Sequence, residues 1–228
     1  MIIVSDTSPV SNLILIERLL LYNSNMSYSS FTNLEIKEKF GVEQVYQDGL
    51  FSDVPPCEVS DLLNQNLEEG VPFALLQGSE KARSEFIIAP IFMELRRQAK
   101  NQISIFSGVE FNVESEQGLS GFCDFLISRS PFQSDVEAPV MVAVEAKQDD
   151  FRRGMTQCIA EMIAARIFNE RRNQDIKEIY GTVTTGDVWR FIVLRGNKAL
   201  IETESFDVRE NLREIIGILL AMGMNQIK

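Results

Sequence analysis

The chain has 228 residues, 45% of them hydrophobic and 24% charged, which is typical of a soluble globular protein with one main domain. It contains no histidine, and this excludes Ser-His-Asp and Cys-His nucleophilic sites, imidazole-ligated zinc and a histidine general base. The net charge of −11 excludes a globally basic nucleic-acid binder. An enzyme built on this chain would have to use carboxylates, lysine and a hard metal ion.

The three cysteines are far apart and form no CxxC pair: Cys57, Cys123 and Cys158. Their odd number and spacing predict reduced thiols in a reducing compartment rather than a disulfide framework. No apolar run reaches the roughly 18 residues that a membrane span needs. The N-terminus also has no basic flank of the kind that precedes a signal peptide. We therefore expect a cytoplasmic protein with no membrane partner.

The sequence of residues 1–25 predicts a short strand, a Ser-Pro turn and an apolar helix, followed by a polar segment of linker composition. The opening letters MIIVSDTSPVSNL resemble the start of a PIN-domain ribonuclease. That resemblance implies a metal-ligand role for Asp6, but it ends near residue 20 and no later segment supplies the remaining acids. We interpret 1–25 as a PIN-like fragment or extension.

Residues 26–78 predict an N-terminal helical extension. A helix is expected over 32–40, where Thr32 is the candidate N-cap and an acid follows three residues later. A short amphipathic helix is expected over 60–69, ending at Gly70.

Residues 79–228 predict a larger domain that begins with a long helix over 79–100, in which Pro90 should cause a kink or a break. The pattern then changes to strand alternation, with Ser107 and Gly108 expected to form a tight hairpin turn. Further strands are expected over 121–128, 141–147, 179–183, 188–194 and around Leu200, with helices over 151–169 and 208–222. This order predicts an α/β fold with a mixed central sheet flanked by helices.

Two acidic residues stand in strands that otherwise read as core: Asp124 in GFCDF and Glu145 in VEAK. Burying an unpaired carboxylate costs several kcal/mol, roughly, so a compensating group is expected beside each of them. Lys147 is two residues after Glu145 and therefore on the same side of the strand. Two carboxylates with a lysine favour an oxygen-ligated Mg²⁺ or Mn²⁺ and metal-assisted phosphodiester hydrolysis.

The acid-x-Lys triplet alone is weak, since it also occurs at Glu35-Ile-Lys37 and Asp175-Ile-Lys177. Only the triplet that starts at Glu145 ends an apolar strand and has an in-strand aspartate before it.

These residues together resemble the PD-(D/E)XK, or restriction-endonuclease-like, nuclease superfamily over roughly residues 79–195. The resemblance implies a core of helix, three strands, helix and strand (αβββαβ), here with an extra strand and a C-terminal helix. It implies metal ligands at Asp124 and Glu145, with Lys147 assisting. A supporting acid on the first helix would be Glu80 or Glu85, of which Glu80 is the better match by its place before Ala-Arg.

The RecB-like branch of this superfamily places a glutamine on the helix after the lysine, and Gln157 fits that position. In that branch a tyrosine follows four residues later, whereas this chain has Glu161. The resemblance thus implies a Mg²⁺- or Mn²⁺-dependent endonuclease or exonuclease that acts on nucleic acid, with DNA as the expected substrate. Arg152 and Arg153 are candidate nucleic-acid contacts, and a homodimer or a protein partner is also compatible with the sequence.

Plainer interpretations remain open for each of these residues. Asp124 would pair with a basic residue such as Arg152. Glu145 and Lys147 would form a same-face ion pair on an edge strand, and Gln157 and Glu161 would belong to the polar stripe of an amphipathic helix. Glu80 and Glu85 would be ordinary first-turn acids, and the arginines a solvated surface. At the level of the whole chain, the alternatives are a catalytically inactive module of the same fold and a truncated PIN ribonuclease.

Overall fold

A computed structural model of the chain describes residues 26–147 and 151–227. The predicted N-terminal strand and helix, with Asp6, lie outside the described residues. The described part is an α/β fold with one mixed sheet of eight strands and helices on both of its faces, which confirms the fold class expected from the sequence.

The helices are α1 (Asn33–Phe40), α2 (Asp61–Gln77), α3 (Glu80–Arg83), α4 (Ala89–Gln98), α5 (Phe151–Arg171) and α6 (Leu212–Met224). A π-helical stretch, Ser84–Ile88, joins α3 to α4 without a break. Among the described residues, no helix combines the length and the apolar character that crossing a bilayer requires.

The strands are β1 (Glu43–Gln47), β2 (Ser104–Glu110), β3 (Phe122–Ser128), β4 (Val140–Ala146), β5 (Glu178–Thr184), β6 (Val188–Arg195), β7 (Lys198–Glu202) and β8 (Phe206–Asp207). Their order is β1-β7-β6-β5-β4-β3-β2, with β8 paired to β6. The pairs β1–β7 and β4–β5 are parallel and the others are antiparallel. Because β4 and β5 are parallel, α5 crosses over one face of the sheet between them.

The predicted start of α1 is confirmed. The Thr32 hydroxyl accepts a hydrogen bond from the Glu35 amide (3.3 Å), and the Glu35 carboxylate accepts one from the Thr32 amide (2.8 Å). This reciprocal capping box satisfies amide groups that have no partner inside the helix. The helix ends at Gly41, whose φ of 67° is easily adopted only by glycine.

The sequence suggested a purely helical segment over 26–78. In the structure, however, this segment also contributes β1 to the sheet. This strand pairs in parallel with β7, from Glu43 opposite Lys198 to Gln47 opposite Glu202. Its partner strand lies about 155 residues later in the sequence. A strand of only five residues has too short a periodic pattern to be predicted from the sequence alone.

The predicted end of α2 at Gly70 is wrong, since the helix continues to Gln77. A Cβ at Gly70 would collide with the carbonyl oxygen of Phe86 in the π-helical stretch. The glycine therefore lets two helical segments pack closely and does not end the helix.

Pro90 does not break the long helix either. A proline has no N–H to donate to the carbonyl four residues earlier, here that of Phe86. The π-helical residues lie directly before Pro90, and the helical path continues to Gln98. Short π-helical segments occur mostly as single turns within α-helices and often lie near functional sites.

The predicted hairpin at Ser107 and Gly108 is also wrong, because β2 runs continuously through both residues. Gly108 does have the positive φ (60°) that suggested a turn. Its place in the ladder is opposite Asp124, where the pairing passes from Ser107–Phe125 to Val109–Cys123 without a Gly108–Asp124 pair. The glycine thus marks a local interruption of the sheet beside the predicted site.

Two hydrophobic cores cover the two faces of the sheet. One packs the sheet against α2, α4 and α6 and includes the fully buried Trp189. The other packs it against α1 and α5 and includes Cys123 and Cys158. All three cysteines are free thiols, as expected.

Candidate functional site

Asp124 lies on β3 at a position where the strand has lost its neighbours on both sides. Its pairing with β2 is interrupted, and the pairing of β3 with β4 begins only at Phe125 opposite Val144. The side chain replaces the missing ladder bond, since Oδ2 accepts a hydrogen bond from the backbone N–H of Ala146 (2.8 Å). The carboxylate is therefore held at the end of β4, partly open to solvent.

Glu145 is the next-to-last residue of β4 and is 1% exposed. Because β4 lies between β3 and β5, the edge strand of the plainer alternative is wrong, although its ion pair is present. One carboxylate oxygen pairs with the Lys147 ammonium, and Oε2 accepts a hydrogen bond from Nε2 of Gln157 (2.8 Å). The carboxyl groups of Glu145 and Asp124 also lie within hydrogen-bonding reach of each other.

Lys147 directly follows β4 and is half-buried. Its backbone N–H donates to the carbonyl of Thr184 on β5 (2.8 Å), which fixes the start of the side chain. The first turns of α5 close over its stem at Gly154, where a Cβ would lie 2.9 Å from Cγ of Lys147. The ion pair predicted between Glu145 and Lys147 is thus present, and it is held between the sheet and α5.

The electrostatics of the three groups show an excess of negative charge. Burial raises the pKa of Glu145 to about 7, with the charge of Asp124 adding to the effect and Lys147 opposing it. Burial also raises the pKa of Asp124, despite its bond from the Ala146 amide and the charge of Lys147. Burial alone would lower the pKa of Lys147, but the bond to Glu145 and the surrounding carboxylates shift it upward. The site therefore favours additional positive charge.

The structure separates Glu80 from Glu85. The charge of Glu80 raises the pKa values of both Asp124 and Lys147, so its carboxylate faces the site. Glu85 is instead mostly exposed and pairs with Lys81 on the outer face of the helix (2.9 Å). Both acids line the same open cleft, of about 320 Å³, and it is the charge of Glu80 that acts on Asp124 and Lys147.

Gln157 and Glu161 do not form a solvent-facing stripe on α5. They are 8% and 0% exposed and point toward β4. Gln157 Nε2 donates to Glu145 and to Oε1 of Glu161 (3.2 Å). The polar-stripe alternative is therefore wrong for these two residues.

Arg152 and Arg153 are exposed in the first turn of α5, where they line an open cavity of about 610 Å³ with Thr156 and residues 29–34. Among the described residues, no ion pair joins Arg152 to Asp124, so that alternative is also wrong. The two arginines do not line the cleft at Asp124.

The donor chemistry of the site fits a hard divalent cation. The groups that meet there are the carboxylates of Asp124, Glu145 and Glu80, with neither imidazole nor an accessible thiolate, and Mg²⁺ prefers such oxygen donors. Within residues 26–147 and 151–227, however, no three acidic or cysteine side chains are already arranged as a metal-binding group. Lys147 and Gln157 occupy much of the hydrogen-bonding capacity of Glu145, so binding of an ion requires these contacts to adjust.

Two glycines and one backbone group that shape this site were not identified as functional from the sequence. Gly108 opens the sheet opposite Asp124, Gly154 admits Lys147, and the Ala146 amide anchors Asp124. Of these three features, only Gly154 could have been noticed in the sequence. A glycine inside a predicted helix, here 151–169, commonly marks close packing.

The chain matches no model of a known protein family, and no curated protein is similar enough to it to count as a relative.

Proposed function

We propose that this protein is a Mg²⁺-dependent nuclease of the PD-(D/E)XK type that hydrolyses phosphodiester bonds, with DNA as the expected substrate. The observation that carries the proposal is the meeting of Asp124, which lies on β3 and lines an open cleft, with Glu145 of β4 and with Lys147, which directly follows β4. The proposal includes the cytoplasm as the place of action.

The order of elements supports this assignment. The continuous helix that begins with α3 is followed by β2, β3, β4, α5 and β5, which is the helix, three strands, helix and strand of the resemblance. β6 and α6 supply the extra strand and the C-terminal helix. The acidic residues fall on the second and third strands of this core, where the resemblance places them.

The residues that would hold the cation are Asp124 and Glu145, with Glu80 approaching from the helix on the other side of the cleft. A bound Mg²⁺ supplies a Lewis acid that polarises the scissile phosphate and offsets its charge. The surplus of negative charge described above favours such an ion, because two carboxylates in contact repel each other unless a cation or a proton lies between them.

Lys147 provides a second positive charge beside the same carboxylates. Its ammonium group is placed to orient a water molecule and to offset the charge that develops on the phosphate in the transition state. Gln157 does not reach the cleft itself; it orients Glu145 by donating to Oε2. Arg152 and Arg153 would contact the nucleic-acid backbone outside the cleft.

The net charge of −11 favours a second candidate function, a catalytically inactive module of the same fold that binds a protein partner. A negatively charged chain repels the phosphate backbone, so nucleic-acid binding must depend on local basic residues, a homodimer or a partner. The two functions differ in metal binding, since an inactive module needs no cation at Asp124.

The test uses the full chain with supercoiled plasmid and short DNA and RNA duplexes or single strands. We expect cleavage with Mg²⁺ or Mn²⁺ and none with EDTA. Lys147→Ala should reduce the rate by about 100-fold or more while circular dichroism shows a folded protein. Lys81→Ala is the matched control: this lysine lines the same cleft but is paired with Glu85 and highly exposed, and its removal should change the rate only a few-fold.

Undiminished cleavage by Lys147→Ala, or cleavage that persists in EDTA, would contradict the proposed mechanism. An absence of both cleavage and Mn²⁺ binding by the intact chain would favour the inactive module instead.

A further inference from the structure

Arg83 is the last residue of α3, and its side chain reaches across to the turn between β5 and β6. Nη1 donates to the backbone carbonyl oxygen of Thr185 (2.7 Å) and to Oδ1 of Asp187 (3.1 Å). Only 14% of the Arg83 side chain and 18% of the Asp187 side chain are exposed. A planar guanidinium group that is bonded to two acceptors has a fixed direction. This contact therefore ties α3 to one end of the sheet.

The turn gives Arg83 a rigid anchor, because hydrogen bonds of its own hold it. Oγ1 of Thr185 donates to Oδ1 of Asp187 (2.8 Å). Nε1 of the buried Trp189 donates to the carbonyl oxygen of Gly186 (2.8 Å). A Cβ at Gly186 would lie 3.2 Å from Cβ of Arg83, so the helix packs directly against the turn.

The same turn adjoins the candidate site. It follows Thr184, the last residue of β5, which lies opposite Ala146 in the parallel ladder. The carbonyl oxygen of Thr184 accepts the hydrogen bond from the backbone N–H of Lys147 (2.8 Å). The acceptor that Thr185 offers to Arg83 is thus only one residue after the acceptor that holds Lys147, and the end of β5 fixes both α3 and the lysine.

Glu80 lies three residues before Arg83 on α3, and residues with this spacing share one face of a helix. Glu80 and Asp124 line the same cleft. The one buried residue of α3 is the small Ala82, so packing alone gives this short helix few contacts that set its rotation. An arginine that holds this face of α3 against the turn therefore also directs Glu80 toward the cleft.

We propose that Arg83 is a positioning residue that, through its contact with the β5–β6 turn, holds Glu80 over the cleft for binding of the metal ion. This inference rests on the proposed function, because Glu80 is the supporting acid of the same site. A purely structural role of Arg83 would stabilise the fold equally whether or not residue 80 is an acid.

The test is a double-mutant cycle on the full-length protein with Arg83→Met, Glu80→Gln and the double variant. Mn²⁺ affinity is measured by electron paramagnetic resonance without nucleic acid, and urea unfolding is measured on the same metal-free preparations. Arg83→Met should weaken Mn²⁺ binding and kcat by about 10-fold, with little change in KM for DNA. Charge alone predicts the opposite change in Mn²⁺ affinity, because removing a cation near carboxylates favours the binding of another cation.

The second half of the cycle separates positioning from stability. In the Glu80→Gln background, Arg83→Met should leave Mn²⁺ affinity within about twofold, because the acid that Arg83 directs is gone. The urea midpoint should fall by the same amount in both backgrounds. An equal loss of Mn²⁺ affinity in both backgrounds would overturn the proposal, since Arg83 would then act only on the fold as a whole.

Arg83→Lys replaces the methionine variant in the cycle if that variant does not fold. Its ammonium group keeps the charge beside Asp187 but lacks the planar guanidinium, so Mn²⁺ affinity should fall about fivefold, and only where Glu80 is present. Arg97→Met is the matched control, because it removes an ion pair with Glu94 (2.6 Å) on the same continuous helix outside the cleft. It should lower the urea midpoint and leave Mn²⁺ affinity within about twofold of the parent.

The outcomes distinguish this inference from the proposed function. If the parent protein binds Mn²⁺ and cleaves DNA while a folded Arg83→Met keeps the parent affinity for Mn²⁺, the positioning role is wrong and the nuclease stands. If Glu80→Gln itself binds Mn²⁺ as tightly as the parent, Arg83 has no ligand to position and the inference is also wrong. If the parent protein neither binds Mn²⁺ nor cleaves, the proposed function itself fails, and this inference fails with it.

Discussion

Two buried glutamates in this protein have opposite surroundings. Glu94 on α4 is 3% exposed and accepts four hydrogen bonds: two from Ser60 (3.2 and 2.7 Å), one from Arg97 (2.6 Å) and one from Gln98 (3.0 Å). Burial alone would raise its pKa, but the donors reverse this and lower the pKa to about 2. The fold itself satisfies this charge, and Glu94 holds the start of α2 against α4.

Glu145 has as little exposed surface as Glu94, but it lies deeper in the protein and has fewer donors. Lys147 and Gln157 donate to it, but burial and the charge of Asp124 still raise its pKa to about 7. At Glu94 the donors outweigh the effect of burial, and the charge is structural. At Glu145 they do not, which leaves it in a site that an added cation would stabilise.

The strongest test of this contrast is Asp124→Asn. Removing one of two adjoining acids should abolish Mn²⁺ binding and lower the cleavage rate by about 1000-fold. The free energy of unfolding should stay the same or rise by about 1 kcal/mol, because a like-charge contact is relieved. Cleavage assays and urea unfolding of the same preparation measure both. Full activity, or a loss of stability above 2 kcal/mol, roughly, would show that Asp124 is a structural acid like Glu94.

Glu94→Ala should have the reverse effect. It leaves the partly buried donors of Ser60 and Arg97 without an acceptor, and we expect a loss of about 2–3 kcal/mol in the free energy of unfolding. Cleavage should be unchanged at temperatures where the variant is folded. Urea unfolding gives the first quantity and the plasmid assay the second. A folded but inactive Glu94→Ala would remove the distinction between the two sites.

The third test uses the pH dependence of stability, which Glu94→Gln isolates. The folded-state pKa of about 2 lies below the ordinary value of 4.5, so the charge of Glu94 stabilises the fold at pH values above 4.5. This contribution is lost as the pH falls from 4.5 through 2, and it amounts to at most about 3 kcal/mol. Urea unfolding of both proteins between pH 2.5 and 6 should therefore show a difference that shrinks toward low pH. A difference that does not vary with pH would mean that the ion pair contributes little.

Much of the fold could be predicted because its signals are local. The capping box at Thr32 involves residues three apart, and the apolar runs of β3 and β4 each lie within seven residues. The prediction failed where a distant contact determined the conformation. Gly70 and Gly108 were each interpreted as ends of elements, yet one packs against a second helix and the other lies opposite Asp124 within a strand.

The site divides in the same way. The sequence identified Asp124, Glu145 and Lys147 because acids within apolar strands are unusual whatever the fold. It could not decide between Glu80 and Glu85, since that choice depends on which side of the helix faces the sheet. It also treated Glu161 as a departure from a pattern, and its burial beside Glu145 was not evident from spacing alone.

By itself, the sequence determined the α/β class, the N-cap at Thr32, most of the strands and the exclusion of histidine chemistry, since these depend on composition and on neighbours along the chain. Only the tertiary structure decided that Asp124 loses its strand partners, that Glu80 rather than Glu85 faces the cleft, and that α5 supports Glu145 from behind. The physical reason is the distance along the chain over which each effect acts. Helix capping and hydrophobic periodicity depend on residues a few positions apart. The charge balance of a buried site depends on groups that are far apart in the sequence and that only the folded chain brings together.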